Sequence, residues 1–341
     1  MDSTPITIKD IARDLQVSVS TVSRALKDNK SISLELRQKI KEYAQAHRYQ
    51  PNIMATRLRS SFRGRTDLIG VIIPEFVHHY FSCVLTGIEE CCAKNGYRMV
   101  VATSHDSYER EKKIVESFRQ AQVRGIIVSL AKDTQEYSHF EEAQKDGIPL
   151  VFYDRICTEL RTSRVVVDDY QGAYTATEHL IKMGCKRICF CTAPMNLEIS
   201  KNRLNGYKDA LQKLGLKYDA QMVVPCDNRA KAEEMIPEVM RTQQPDGFFT
   251  TNDDTAIGVL YSVKSMGIRV PEEVQICGFS NGVRAVCCEP QLTTVEQHGT
   301  LLGEKAALAL IDQLEGRIPQ GKYRNQIVKT ALVVRGTTKE K

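Results

Sequence analysis

The chain has no apolar run near the length a membrane demands. Its longest stretches, such as Leu68–Ile73, span about six residues where a spanning helix needs about 20. A helical membrane protein is thereby excluded. The opening residues Met1-Asp2-Ser3-Thr4-Pro5 hold neither a basic n-region nor an apolar h-region, so a secreted product is not expected. No C-x-x-C pair occurs among the 11 cysteines, which reads as reduced cysteine packed into strands and helices of a cytosolic protein. Cys189-x-Cys191 fits alternate positions on one strand face as well as a metal or disulfide site. Walker A and G-x-G-x-x-G are absent, which leaves no nucleotide-phosphate loop. The closing residues 333–341 carry no leucine heptad, so a dimer is the default and a tail-driven tetramer is not expected.

What is present begins with size. At 341 residues, with 42% apolar and 26% charged residues, the chain is globular and long enough for two or three domains. Its positive charge is concentrated. The first 66 residues hold 13 Lys and Arg against 6 Asp and Glu, which leaves 34 against 36 for the rest. A small basic module on a near-neutral body points to a polyanion partner for the module alone.

Within that module, apolar residues at 8, 11, 12 and 15 share one helix face, and Thr7 with Asp10 makes a plausible cap. Gln16-Val17-Ser18 is a tight break. A second helix over 19–26 turns Val22, Ala25 and Leu26 inward and Ser20, Thr21, Ser23 and Arg24 outward. Short hydroxyls and a guanidinium suit phosphates and base edges and make a poor core. A third helix, Leu34–Ala46, follows a Ser33 cap and closes the core with Leu36, Ile40, Tyr43 and Ala44. Two short helices joined by a tight turn, the second polar and exposed, make a helix-turn-helix. Downstream, Pro51 starts a helix of barely two turns, too short to be stable in water without a partner.

These residues resemble the lactose-repressor (LacI/GalR) family of bacterial transcription factors. The resemblance is carried by Thr7-Ile8-Lys9-Asp10-Ile11-Ala12, by the run from Val17-Ser18-Val19-Ser20 to Arg24-Ala25-Leu26, and by Tyr49-Gln50-Pro51-Asn52 with Ile53-Met54-Ala55-Thr56-Arg57-Leu58. It implies a recognition helix at 19–26 and a hinge helix at 52–58, with Leu58 wedged between base pairs in the minor groove. The DNA-contacting set expected from it is Thr7, Val19, Ser20, Thr21, Ser23, Arg24, Asn29, Asn52, Ala55 and Leu58. Double-stranded operator DNA and a second copy of the chain are the implied macromolecular partners, in a bacterial cytoplasm at the nucleoid. No membrane partner, cofactor, metal site or catalytic residue is expected.

Beyond the polar linker 61–66, buried strands alternate with helices. Strands are expected at 68–74, 98–102, 125–128, 148–153, 187–191, 222–224, 247–250 and 274–278. Helices are expected at 84–95, 109–121, 170–183, 203–214 and 256–266. This is the pattern of two parallel-sheet α/β units. The expected fold is an all-α helix-turn-helix headpiece at 1–60 followed by a core at 67–341. By the resemblance, that core is periplasmic-binding-protein-like and built of two Rossmann-like subdomains. The first takes about 67–166 and 298–325, the second about 167–297 and 326–341.

Ligands of such sheets bind beyond the carboxyl ends of strands. The residues there are polar groups interleaved with aromatics, which suits a polar small molecule. The effector set expected is Phe76, Tyr80, Phe81, Asp154, Asn196, Arg203, Asn252, Asp253, Ser280 and Gln297. Asp154, Arg203 and Asn252 fall in runs that match family effector positions: Phe152-Tyr153-Asp154-Arg155, Asn202-Arg203-Leu204-Asn205-Gly206-Tyr207 and Thr251-Asn252-Asp253-Asp254. The segment Pro290-Gln291-Leu292-Thr293-Thr294-Val295-Glu296-Gln297 should cross between subdomains and bring Gln297 to the cleft. Two departures from the family pattern stand out: Ser280-Asn281 after Gly278-Phe279, and Gly299 two residues past Gln297. The effector therefore stays open as a sugar, sugar acid or sugar phosphate.

Two readings compete. A solute-binding protein would share the body but would need an export signal and no basic headpiece. An esterase is suggested by Gly278-Phe279-Ser280-Asn281-Gly282, but the only later histidine, His298, stands too close in sequence to serve from a separate loop. His78-His79 is expected to be an exposed loop pair.

Overall fold

The computed structural model describes residues 6–26, 28–47, 49 and 67–339. The expected hinge helix, with Asn52, Ala55 and Leu58, and the expected linker lie outside the described residues. The chain divides into two compact units, Met1–Arg65 and Thr66–Lys341.

The first unit holds α1 (Ile8–Asp14), α2 (Val19–Leu26) and α3 (Leu34–Ala46). Thr7 and Asp10 form a reciprocal cap: the Asp10 amide donates to Thr7 Oγ1 at 3.4 Å and the Thr7 amide to Asp10 Oδ2 at 2.9 Å. Gln16, with φ at 53°, turns the chain toward α2. Ser18 Oγ accepts from the Thr21 amide at 3.0 Å, and Ser33 Oγ from the Leu36 amide at 3.4 Å. The buried residues are Ile11, Ala12, Val22, Ala25, Ile40 and Ala44, with Leu36 and Tyr43 half-buried against them. The Tyr43 hydroxyl donates to Asp14 Oδ2 at 2.7 Å and pins α3 to α1.

The second unit carries two six-stranded sheets. The first contains β1 (Leu68–Ile73), β2 (Arg98–Thr103), β3 (Gly125–Val128), β4 (Leu150–Tyr153), β5 (Ser163–Val167) and β11 (Asn325–Val328). Its order is β11-β5-β4-β3-β1-β2 and every pairing is parallel. The second contains β6 (Ile188–Cys191), β7 (Val223–Val224), β8 (Gly247–Thr250), β9 (Gln275–Ser280), β10 (Thr293–Glu296) and β12 (Ala331–Val333). Its order is β12-β10-β9-β8-β6-β7, with only β12 antiparallel.

Helices cover both faces, which is why the strands read as unbroken apolar runs. Ile69, Val71 and Ile73 pack into one core and Ile72 into another. Cys189 and Cys191 likewise share one face while Ile188 and Phe190 fill the other. All 11 cysteines are free thiols. Helix α4 (His79–Lys94) and helix α12 (Gly299–Leu314) meet backbone to backbone. A Cβ on Gly87 would stand 2.0 Å from the Thr300 carbonyl oxygen, and one on Gly303 2.0 Å from that of Val84. Only glycine permits that approach.

The chain crosses between lobes after β5, after β10 and after β11. The strands of the first lobe run to Val167 and Val328, beside the approximate boundaries expected at about 166 and about 325. Val167 ends β5, and β11 pairs in parallel with β5, Asn325 against Arg164 and Val328 against Val167, so both belong to the first lobe.

Candidate functional site

The carboxyl ends of both sheets face a cleft of about 450 Å³. On the first-lobe side, Asp154 follows β4 directly with φ at 56°, a left-handed backbone that turns its side chain inward. It is 5% exposed, and burial pushes its carboxyl above the usual range against the pull of Arg155 and Arg203. Tyr80 and Phe81, in the first turn of α4, add an aromatic wall. The Tyr80 hydroxyl and Ser129 Oγ are buried and lean on the Asp154 carboxyl, which they help hold down, without reaching full hydrogen-bond geometry to any described residue. A polar ligand in the cleft would complete the bonding of Tyr80, which lines it.

On the second-lobe side, Arg203 projects from α8 (Glu198–Lys213). Its Nε and Nη2 reach Asp169 Oδ1 at 2.8 and 2.7 Å, and its guanidinium lies 3.8 Å over the Phe279 ring. Asp169 opens α7 (Asp169–Lys182). Burial pushes its carboxyl up to about 6, with Arg203 opposing. Ser280 Oγ donates to Gln297 Oε1 at 2.8 Å, and Gln297 sits on the second crossing, 2% exposed. An amide oxygen is no general base, so this geometry gives Ser280 no activation.

A charged bridge closes one rim. Lys132 Nζ lies 3.2 Å from Asp106 on its own lobe and 2.9 Å from Asp227 on the other. Burial alone would raise both carboxyls. Arg155 and Lys132 hold Asp106 below the ordinary value, and Lys231 and Lys132 do the same for Asp227.

Eight of the ten expected effector residues line the cleft: Tyr80, Phe81, Asp154, Arg203, Asn252, Asp253, Ser280 and Gln297. Two do not, and both are corrections. Phe76 lies before α4 and is 58% exposed, outside the lining. Asn196 ties the lobes together instead, its Nδ2 donating to the Lys132 carbonyl at 2.8 Å. Asn252 and Asp253 form wall and spend their polar atoms inward. Asn252 caps α10 (Asp253–Ser265), accepting from the Thr255 amide at 2.8 Å and donating to the Asp227 carbonyl at 2.9 Å. Asp253, pushed by burial up to about 6, accepts from Thr294 Oγ1 at 2.5 Å and the Gly282 amide at 2.6 Å. The sequence reading missed Lys132 and Asp227, although the strand-end rule applied to β3 and β7 points to both. The apolar patch of Ala193, Leu197 and Ile199 carried no such signal. The histidine pair is also not a plain loop. His79 begins α4 with Nε2 3.3 Å from Cys83 Sγ, and His78 Nε2 lies 3.4 Å from Glu75.

These shifts have a definite sign. Asp169 and Asp253 bind protons more readily folded than unfolded between about 4 and 6, so their contribution to stability rises as pH falls through that window. Asp106 and Asp227 contribute stability that is lost only below about 4. The core's calorimetric transition is expected not to weaken from pH 7 to pH 5 and to drop below pH 4. A steady fall across pH 7 to 5 would contradict the burial of the two raised carboxyls.

On the headpiece unit, Ser20 and Arg24 are exposed on α2 while Val19, Thr21 and Ser23 are half-buried. Ser18 Oγ lies 2.7 Å from Ser20 Oγ and 2.8 Å from Thr21 Oγ1, which presents the hydroxyls as one row. Arg24 has no ion-pair partner among the described residues. Thr7 and Asn29 are exposed, with Asn29 Oδ1 accepting from the Ser31 amide at 2.9 Å.

Comparison with known proteins gives two domain matches. Residues 7–52 match the bacterial regulatory proteins of the lacI family, and residues 177–338 match a periplasmic binding protein-like domain. The ribose operon repressor of Halalkalibacterium halodurans is 31% identical over 335 residues, 98% of this chain and 97% of that protein. The transcriptional repressor CytR of Escherichia coli is 29% identical over 339 residues, 98% of this chain and 97% of that one. Among solved structures, a lac repressor dimer bound to operator and the anti-inducer ONPF shares the fold with a TM-score of 0.84 at 22% identity, covering 98% of this chain and 99% of that chain. A periplasmic binding protein/LacI transcriptional regulator from Alkaliphilus metalliredigens complexed with D-xylulofuranose gives 0.70 at 27% identity, over 81% and 100%.

Proposed function

The chain belongs to the LacI family of bacterial regulatory proteins, and from that premise we propose how its residues divide the work of a ligand-responsive repressor. It is a DNA-binding transcriptional regulator with a headpiece and a ligand-binding core. Its α2 enters the major groove, where Arg24 pairs with a guanine or phosphate and Ser20, Thr21 and Ser23 complete the contact beside Val19. Thr7 and Asn29 reach the backbone. Asn52, Ala55 and Leu58, outside the described residues, are assigned to the minor groove by the family resemblance alone. Two copies read the halves of a pseudo-palindrome, as two-fold symmetry requires.

The observation that carries the reading is the cleft, whose lining comes from both lobes. A ligand touching both lobes fixes the angle between them. That angle sets how firmly the headpieces of two copies hold DNA, a coupling typically of about 1–3 kcal/mol. The effector is a small sugar-like molecule and the regulated genes serve carbohydrate use, supported by relatives named for ribose and by the neighbour that holds D-xylulofuranose.

The test is a melting-point screen of the full chain against pentoses, sugar acids and sugar phosphates, run beside selection of bound duplexes from a random pool. A ligand that binds the native state raises its melting point. The reading expects one hit in the screen and one palindromic consensus in the selection. No enriched duplex with or without ligand would overturn it.

A further inference from the structure

Arg203 taken alone looks like a receptor for an anion, and the sequence leaves a sugar acid open on that ground. The geometry points elsewhere. We propose that Asp169 is a positioning residue that locks Arg203 and cancels its charge, so that the cleft selects an uncharged polyhydroxyl effector over a sugar acid or sugar phosphate. The proposal rests on the reading of the cleft as the effector site.

Three residues hold the guanidinium. Asp169 Oδ1 accepts from both Nε and Nη2, Thr251 accepts from Nη1 through its carbonyl and its hydroxyl, and the Phe279 ring centre lies 3.8 Å from the guanidinium carbon. Arg203 and Asp169 are 4% and 3% exposed, so water screens the pair little. Asp169 is itself fixed. It follows the first crossing between lobes, where Asp168 caps α7 by accepting from the Gln171 amide at 3.0 Å. Arg203 is thus anchored to the joint on which the lobes turn.

The rest of the charge in the cleft is matched in the same way. Lys132 pairs with Asp106 and Asp227, Arg155 with Asp106, and Arg284 with Asp254. Each Lys and Arg among the described lining residues therefore already has a carboxylate. An incoming carboxylate or phosphate finds no unmatched cation and faces Asp154. A neutral polyol needs the opposite: rigid donors and acceptors whose charges are already balanced, so that its hydroxyls exchange water for fixed partners.

Asp169→Asn removes the charge and keeps the shape. The probes are D-ribose and D-ribonate, titrated calorimetrically into the full chain at pH 7.5. The Arg203 Nε–Hε NMR signal of the ligand-free protein is followed alongside, assigned through Arg203→Lys. The wild type is expected to bind ribose at least about tenfold more tightly than ribonate. Asp169→Asn should shrink that preference by about tenfold or more and broaden or shift the Arg203 signal. An unchanged signal with an unchanged preference overturns the proposal, and so does a wild type that prefers ribonate. A wild type that binds neither probe, with the Arg203 signal lost in Asp169→Asn, sinks the effector reading for pentoses and supports the lock. Should Asp169→Asn not fold, Asp169→Glu serves: its charge stays and its reach changes, so the signal must move while ribose remains preferred. Loss of that preference in Asp169→Glu also overturns the proposal.

Discussion

Arg24→Ala is expected to cost about 1–3 kcal/mol per half-site in operator binding, and roughly twice that for a dimer reading both halves. Arg24 stands at the end of α2, with no carboxylate partner among the described residues, and on the solvent face opposite the buried Val22 and Ala25. Its removal takes nothing from the core, so the headpiece should keep its helicity. Gel-shift titration with the selected duplex checks the loss, and calorimetry with the effector checks that the cleft is untouched. Binding to random duplex should fall less, because phosphate contacts elsewhere persist. Equal affinity of wild type and variant for the selected duplex would remove α2 from the recognition role.

The second large effect belongs to Asp154. Asp154→Asn is expected to weaken effector binding by about 1.5–3 kcal/mol, the range for a hydrogen bond to a charged group. Asparagine tolerates the left-handed backbone that this position demands, so the variant should fold. Operator affinity without effector should match the wild type. A variant that binds effector normally would show that the carboxylate beside Tyr80 and Ser129 faces a space the ligand does not use.

The headpiece was legible because its signals are local. Apolar spacing, the Thr7 and Ser33 caps and the break at 16–18 each act within a turn or two, and the three helices appear where that spacing puts them. The strands Leu68–Ile73, Gly125–Val128 and Gly247–Thr250 were legible as short buried runs. Of the four edge strands, β2 and β7 were legible, while β11 and β12 were not. β11 alternates exposed and half-buried residues up to its last position, and only its pairing with β5 makes it a strand. α12 was missed for the opposite reason. Its Ala and Leu residues bury so much of its surface between α4 and the sheet that little amphipathic period remains.

The lining of the cleft was legible at the strand ends that hold Asp154 and Ser280. It failed where a side chain has a second choice. Asn196 and Asn252 have the right chemistry for a polar ligand, yet each found a backbone partner within the fold. Asp169 escaped attention because its role exists only through Arg203, on another helix 34 positions along the chain.

The account stands on one coupling, between a molecule held in the cleft and a duplex held by the headpiece. It is tested most directly by titrating the selected operator into the full chain with and without saturating effector, beside Asp154→Asn under the same conditions. The account predicts a shift of roughly 5–150-fold in operator affinity for the wild type and a much smaller one for the variant. A ligand that fills the cleft and leaves operator affinity unmoved would contradict it.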